Sequence, residues 1–154
     1  MSDIEDLYRE IILDHYRSPR NAGELETPPA TKAEGFNPLC GDEIVVYLIL
    51  DDAGIITDLK VGGQGCSISQ SSASMMSAAV KGKTVEHARE VMKTFKGLMS
   101  IAETGAELTE PTPDEIRKLG DLAALRGVVK FPTRIKCATL SWNTLDEALN
   151  EAQA

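Results

Sequence analysis

The sequence lacks a long uninterrupted run of apolar residues. Its longest run, residues 44–50, has seven members, whereas a helix that crosses a bilayer needs about 20. The opening segment, Met-Ser-Asp-Ile-Glu-Asp, is acidic, and a secretory signal peptide begins with basic residues. We therefore expect neither a membrane-spanning helix nor a signal peptide, and these features predict a cytoplasmic protein.

Cysteine is also scarce, since the chain has only Cys40, Cys66 and Cys137. An odd number of cysteines cannot all pair in internal disulfides, so a disulfide-stapled secreted scaffold is not expected. In a reducing compartment, thiols are more often metal ligands or reactive groups than cross-links. The three cysteines are therefore the first candidates for chemistry.

Basic residues are too few to balance the acidic ones. The 16 Lys and Arg residues face 24 Asp and Glu residues, for a net charge of −8. A surface of this sign repels phosphate backbones and anionic membranes, so neither nucleic acid nor a membrane is expected as a partner. The length of 154 residues, of which 42% are hydrophobic, predicts one domain over residues 1–154.

The hydrophobic pattern predicts an α+β fold with a small antiparallel sheet of about three strands. Residues 28–38 resemble a loop with at most one short strand. Residues 43–50 and 55–61 are expected to form a hairpin, and glycine-rich residues 62–65 are expected to end its second strand. Capping residues and periodicity predict helices over residues 2–18, 67–80, from 84 onward, about 113–119, and from about 134 onward. Strands that precede most of the helices are typical of an α+β domain.

Each cysteine lies at a predicted element boundary. Cys40 comes just before the hairpin, Cys66 begins a helix after a glycine run, and Cys137 lies in the first turns of the last helix. A helix N-terminus stabilises negative charge, which favours thiolates at Cys66 and Cys137. Thiolates both bind metals and act as nucleophiles. A lone cysteine is also commonly a small buried hydrophobe, and for each cysteine taken alone that interpretation stays open.

Asp42 is the nearest candidate for a fourth ligand of a tetrahedral metal site. It lies two residues from Cys40, and alternation along an extended chain places both side chains on one side. A plain hairpin-entry residue is the alternative interpretation. The glycines at 63 and 65 do not complete a dinucleotide-binding fingerprint, and they are better explained as a tight turn that lets the backbone approach a metal centre.

Three segments resemble the cysteine motifs of the U-type (IscU/NifU-like) iron–sulfur cluster assembly proteins. They are residues 37–42 (Asn-Pro-Leu-Cys-Gly-Asp), 63–69 (Gly-Gln-Gly-Cys-Ser-Ile-Ser) and 134–138 (Arg-Ile-Lys-Cys-Ala). Residues 7–21 resemble the N-terminal helix of that family, so the resemblance covers nearly the whole chain. Within the family, the chain is most similar to the SufU-type branch, because Lys136 occupies the position where scaffold members have a histidine.

Two further differences favour the SufU-type branch. Residues 131–135 (Phe-Pro-Thr-Arg-Ile) stand where the scaffolds have a Leu-Pro-Pro-Val-Lys chaperone-recognition stretch. Added length centred on about residues 97–126 resembles an insertion typical of SufU-type members. Recognition by that chaperone is therefore not expected.

The resemblance implies a SufE/IscU-like α+β sandwich with its site at one exposed end. It also implies one zinc ion bound by Cys40, Asp42, Cys66 and Cys137. On this interpretation Cys40 and Arg134 are the catalytic residues of a zinc-dependent sulfurtransferase. Cys40 takes persulfide sulfur from a SufS-like cysteine desulfurase and passes it to a downstream Suf-type scaffold, while Arg134 helps to organise the site and the partner contact.

Three alternatives stay open. The same ligands could assemble a transient [2Fe–2S] cluster or hold iron, because iron–sulfur clusters bind thiolates. A zinc ion could be purely structural and support only folding. A metal-free cysteine enzyme would need a histidine near its thiol, but His15 and His87 are far from every cysteine in sequence and are predicted to take no part.

Overall fold

The computed structural model describes residues 2–27, 29–38, 41–104 and 113–153. Within these ranges, three strands form one antiparallel sheet in the order β1-β2-β3. The strands are β1 (Thr31–Asn37), β2 (Asp42–Leu50) and β3 (Ile56–Gln64). The predicted hairpin and the small antiparallel sheet are confirmed.

β2 is the middle strand of this sheet, and the alternation of its side chains explains why one of its faces is buried. Ile44, Val46 and Leu48 point to one face and are fully buried, as expected for a strand with one face on the core. The turn after β2 is stabilised by Asp51, whose Oδ1 accepts hydrogen bonds of 2.9 Å from the backbone N–H groups of Ala53 and Ile55.

The expectation that glycines end the second hairpin strand at residue 61 was wrong. β3 continues to Gln64, and Gly63 pairs with Ile44. Gly63 has φ of +113°, and a Cβ atom there would overlap the backbone carbonyl of Glu43. Glycine extends the pairing in this case, because only a residue without a side chain can approach β2 so closely.

Five helices and one 3₁₀ segment are described. They are α1 (Ser2–Arg17), α2 (Ser67–Val80), α3 (Val85–Thr104), α4 (Pro113–Lys118), the 3₁₀ segment (Gly120–Lys130) and α5 (Pro132–Gln153). The helix predictions are confirmed to within about two residues. The 3₁₀ segment was not predicted.

The helices pack against the sheet and against one another. α5 contacts β1 and β2, α2 contacts β3 and α5, and α1 packs on α2. Phe95 of α3 stacks on Trp142 of α5 with ring centroids 5.3 Å apart, which places aromatic packing between these helices. The fold is therefore α+β, as predicted, and its helical side brings the first turns of α2 and α5 to the β1–β2 end of the sheet.

The predicted insertion at about residues 97–126 and the single domain over 1–154 stay predictions. Residues 105–112 lie outside the described residues. Among the described helices, none combines the length and the apolar character that crossing a membrane requires.

Candidate metal centre

Three side chains from three different elements converge at one end of the sheet. Asp42 is the first residue of β2, Cys66 is the N-cap of α2, and Cys137 lies in the second turn of α5. One donor atom from each lies within 4.8 Å of the other two. We call these residues the Asp-Cys-Cys cluster. Cys40, the fourth predicted ligand, lies outside the described residues.

Asp42 is fully buried at the start of β2. Its Oδ1 accepts a hydrogen bond of 2.8 Å from the backbone N–H of Cys66. Its Oδ2 lies 3.7 Å from the Cys66 sulfur. Among the described residues, no lysine, arginine or histidine forms an ion pair with it. A buried carboxylate without a cationic partner is costly, and a bound metal ion would supply the missing charge.

Cys66 sits where the backbone of α2 offers its first N–H groups. Its backbone is extended (φ −72°, ψ 167°), and its Sγ accepts a hydrogen bond of 3.5 Å from the backbone N–H of Ser69. The helix end therefore places a backbone N–H donor on this sulfur. Gly65 is equally constrained, because a Cβ atom on it would overlap Asp42 Oδ1 and crowd Ser69 Oγ. The backbone at Gly65 therefore approaches the Asp42 carboxylate closely, whereas the prediction of a tight turn was wrong for Gly63, which lies in β3.

Cys137 is fully buried in the second turn of α5. Its Sγ lies 4.0 Å from the carbonyl oxygen of Thr133, one turn earlier. The side-chain amide of Asn37 donates a hydrogen bond to the same sulfur at 3.8 Å. Cys137 is thus held between α5 and the end of β1.

The donor set fits a zinc ion, and one separation within the cluster has the length of a tetrahedral edge. Zinc binds thiolate sulfur at about 2.3 Å and carboxylate oxygen at about 2.0–2.2 Å, so a tetrahedral edge between them is roughly 3.6 Å. The Asp42–Cys66 separation of 3.7 Å matches such an edge. A fourth ligand would complete the coordination.

A cleft of about 790 Å³ begins beside this cluster and is lined mostly by apolar side chains. It lies between α1, the start of α2, the 3₁₀ segment and the start of α5. Arg134, the second predicted catalytic residue, lines this cleft and is exposed, as is Phe131 with 60% of its surface accessible. Arg134 therefore lies on the exposed surface near Cys137, away from the buried core.

Comparisons with known proteins identify the family of this chain. The family model described as the NifU-like N-terminal domain matches residues 7–138, a range that holds the whole cluster. The chain belongs to this family. Its relatives include the zinc-dependent sulfurtransferase SufU of Bacillus subtilis, which is 45% identical over 96% of this chain and 92% of the relative. The iron–sulfur cluster assembly scaffold protein IscU of Streptococcus pyogenes is 36% identical over 99% of this chain and 88% of its own.

A solved structure gives the same family assignment. The crystal structure of a protein from Fervidobacterium islandicum, named as an iron–sulfur cluster assembly scaffold protein for the SUF system (FiSufU), superimposes with a TM-score of 0.77 at 35% identity, and the match covers 91% of this chain and 94% of that one. The resemblance to U-type assembly proteins and the SufE/IscU-like fold predicted from the motifs are confirmed.

Two residues near the Asp-Cys-Cys cluster were not identified as functional from the sequence. Asn37 and Ser69 each place an N–H group on a cysteine sulfur. Ser69 could have been found, because it lies three residues after an N-cap, where a helix offers a free backbone N–H. Asn37 carries no such signal, since asparagine is common in turns for other reasons.

Neither histidine belongs to the cluster. His87 is exposed at the start of α3. His15 is buried, with Nδ1 2.7 Å from Ser74 Oγ and Nε2 2.8 Å from Asp121 Oδ2. We call His15, Ser74 and Asp121 the His15 cluster.

Proposed function

We propose that this chain is an iron–sulfur cluster assembly protein that binds one zinc ion and accepts persulfide sulfur from a cysteine desulfurase. The observation that supports this most directly is the convergence of Asp42, Cys66 and Cys137 within 4.8 Å, at the end of the turn whose sequence contains Cys40. The Bacillus subtilis relative, named a zinc-dependent sulfurtransferase, is 45% identical over nearly the whole chain.

Asp42, Cys66, Cys137 and Cys40 would hold the zinc ion. When bound, zinc supplies a divalent charge that keeps its thiol ligands deprotonated and favours a tetrahedral arrangement. Asp42 and Cys137 are buried and Cys66 is half-buried, so these three side chains are suited to stay in place as a fixed frame. Cys40, which lies in sequence between β1 and β2, is the ligand we assign to sulfur transfer.

The transfer step is a thiol–persulfide exchange. The Cys40 thiolate attacks the outer sulfur of the desulfurase persulfide, a new sulfur–sulfur bond forms on Cys40, and the bond to the desulfurase cysteine breaks. The electron pair of that bond leaves with the desulfurase sulfur, which departs as a thiolate. Oxidation states are conserved, so the exchange needs no added oxidant or reductant. Cys40 then carries the persulfide toward an acceptor.

We assign to Arg134 a role in the approach of the partner. It lies exposed at the start of α5 and lines the cleft that begins beside the Asp-Cys-Cys cluster. A guanidinium there offsets the negative charge of a thiolate-rich site, and it offers hydrogen-bond donors to an incoming desulfurase loop. The SufS-like identity of the desulfurase, a downstream Suf-type scaffold as acceptor, and a cytoplasmic location belong to the same proposal.

A scaffold for a transient [2Fe–2S] cluster is the second candidate function. The relative from Streptococcus pyogenes is named a scaffold protein and is 36% identical. Thiolate and carboxylate ligands could also hold such a cluster. Metal analysis of protein purified without oxygen separates the two candidates, because colourless protein with one zinc favours sulfur transfer and brown protein with labile iron and sulfide favours the scaffold.

Sulfur transfer is tested with a purified cysteine desulfurase and cysteine as substrate. Turnover is measured as alanine released, with and without this protein. We expect the wild-type protein to stimulate turnover and Cys40→Ala to abolish that stimulation. Asn143→Ala, which changes an exposed residue of α5, is the matched control and should stimulate as the wild type does. Undiminished stimulation by Cys40→Ala would contradict the proposal.

A further inference from the structure

Asn37 contacts two members of the candidate metal centre, Asp42 and Cys137. It is the last residue of β1 and pairs across the sheet with Asp42, so these two residues close the turn whose sequence contains Cys40. Its side chain is turned inward, with only 6% of the residue exposed. The Nδ2 atom donates to the Sγ of Cys137, 100 positions later in the chain, at 3.8 Å.

Each member of the Asp-Cys-Cys cluster accepts a hydrogen bond from an N–H group. Asp42 accepts from the backbone of Cys66 and Cys66 accepts from the backbone of Ser69. Cys137 lies beyond the first four N–H groups of α5, whose donors a helix leaves free. The N–H on its sulfur comes from the side chain of Asn37 instead. The Asn37 side chain thus supplies a donor at a position where the backbone of α5 has no free N–H group.

We propose that Asn37 is a positioning residue for the metal centre. Its amide holds the Cys137 sulfur in a ligand orientation and withdraws negative charge from it, as hydrogen bonds from outer partners do for metal ligands. Its pairing with Asp42 also joins the end of β1 to the start of β2. The inference rests on the proposed zinc site and adds a consequence. Asp42, Cys66 and Cys137 form a frame that keeps its shape while Cys40 reacts.

The test compares the wild type with Asn37→Ala, Asn37→Asp and the control Asn143→Ala. Zinc affinity is measured by competition with a chromophoric chelator, and the cobalt(II)-substituted proteins are compared by absorption spectroscopy. We expect both Asn37 variants to bind zinc about 10–100-fold more weakly, the usual cost of losing an outer partner of a metal ligand. Their sulfur-to-cobalt charge-transfer bands should move to lower energy, because Cys137 loses an electron-withdrawing donor.

Asn37→Asp keeps the size and shape of the side chain but replaces the amide donor with an anion. It should bind zinc most weakly, and it carries the test if Asn37→Ala does not fold. Asn143→Ala should match the wild type. Zinc affinities within about twofold of wild type, or weaker binding with an unchanged cobalt spectrum, would overturn the positioning role. Neither measurement includes a desulfurase, so a failure of sulfur transfer leaves this result intact, and the reverse also holds.

Discussion

Two polar clusters, each with buried members, share helix α2, and only one of them has the composition of a reactive site. The His15 cluster takes Ser74 from the middle of α2, and the Asp-Cys-Cys cluster takes Cys66 from its N-terminus. In the His15 cluster, both ring nitrogens have an oxygen within 2.8 Å, and Ser74 Oγ also accepts from the backbone N–H of Arg20 at 2.8 Å. Donors and acceptors are matched there.

In the Asp-Cys-Cys cluster, hydrogen-bond donors and acceptors are matched far less well. Once the two thiols ionise to bind a metal, the carboxylate and both thiolates would all be acceptors, and the N–H···S contacts that reach the sulfurs are 3.5 Å and 3.8 Å long. Asp121 adds to the contrast, because its side chain is 57% exposed and keeps its charge in water, whereas Asp42 is fully buried. Burial of polar groups therefore does not mark a site by itself. A surplus of buried acceptors does, since a cation is what would balance it.

The largest expected effect follows from removing the charge of Asp42. Asp42→Asn retains an oxygen that can accept from the Cys66 N–H, so the fold should survive. We expect zinc affinity to fall by more than the 10–100-fold that loss of an outer partner costs, because a charged ligand is lost. Metal content after dialysis against a chelator measures this effect, and desulfurase stimulation should fall with it.

The control for Asp42→Asn comes from the other cluster. Asp121→Asn makes the same chemical change in the His15 cluster and should leave the zinc content as it is in the wild type. One tightly held zinc per chain in Asp42→Asn would contradict the assignment of Asp42 as a ligand.

Gly65→Ala should have the next largest effect. Its added methyl group would overlap Asp42 Oδ1 and crowd Ser69 Oγ, so the cluster must open. Overpacking of this kind costs about 1–3 kcal/mol, and we expect zinc affinity to drop by up to about a hundredfold. Gly97→Ala is the control, since a Cβ atom on that helical glycine would meet nothing within 4 Å. Equal zinc affinities in the two variants would show that the close approach at Gly65 has no role in metal binding.

His15→Ala tests the opposite side of the comparison. The substitution removes a hydrogen-bond partner of the Ser74 hydroxyl and opens a cavity in a buried region. The free energy of unfolding should therefore fall by about 2 kcal/mol. Zinc content should stay at its wild-type value. Urea denaturation and metal analysis measure the two quantities. His87→Ala, at an exposed position, should change stability by less than about 0.5 kcal/mol. Loss of zinc from folded His15→Ala would mean that the two clusters are not independent.

Local patterns in the sequence predicted much of this architecture and left specific parts out. The amphipathic spacing of α1 and the alternation of β2 predict both elements, because each rests on neighbours a few positions apart. The 3₁₀ segment, residues 120–130, has no such repeat. It packs against α1, α2 and α3, and those helices are distant from it in sequence.

The candidate site divides in the same way. Asp42, Cys66 and Cys137 were candidates because element boundaries and helix ends carry a local chemical signal, and the family resemblance implied them as members of one ligand set. The contact of Asn37 with Cys137 spans 100 positions, and that of His15 with Asp121 spans 106. Neither contact leaves a local trace. The assignment of Cys40 and Arg134 as catalytic residues stays a prediction for the experiments above.

The smallest expected effect concerns the exposed ion pair beside the His15 cluster. Arg20 Nη2 lies 2.6 Å from Asp14 Oδ2. The hydrogen bond from Arg20, and then its charge, lower the pKa of the Asp14 carboxyl from its ordinary value. A carboxyl with a lowered pKa in the folded state stabilises that state above its unfolded pKa, and the stabilisation is lost as the pH falls through the folded pKa.

Asp14→Asn should therefore lower Tm only slightly at neutral pH, because exposed pairs contribute little. The difference from wild type should vanish in acid, once Asp14 is protonated in both states. Thermal unfolding at several pH values measures it, and added salt at neutral pH should also shrink it. A difference that grew as the pH fell would show the opposite linkage. Even the correct sign would leave this pair a minor contributor, because water already solvates both charges, whereas His15 and Ser74 are buried and depend on their protein partners.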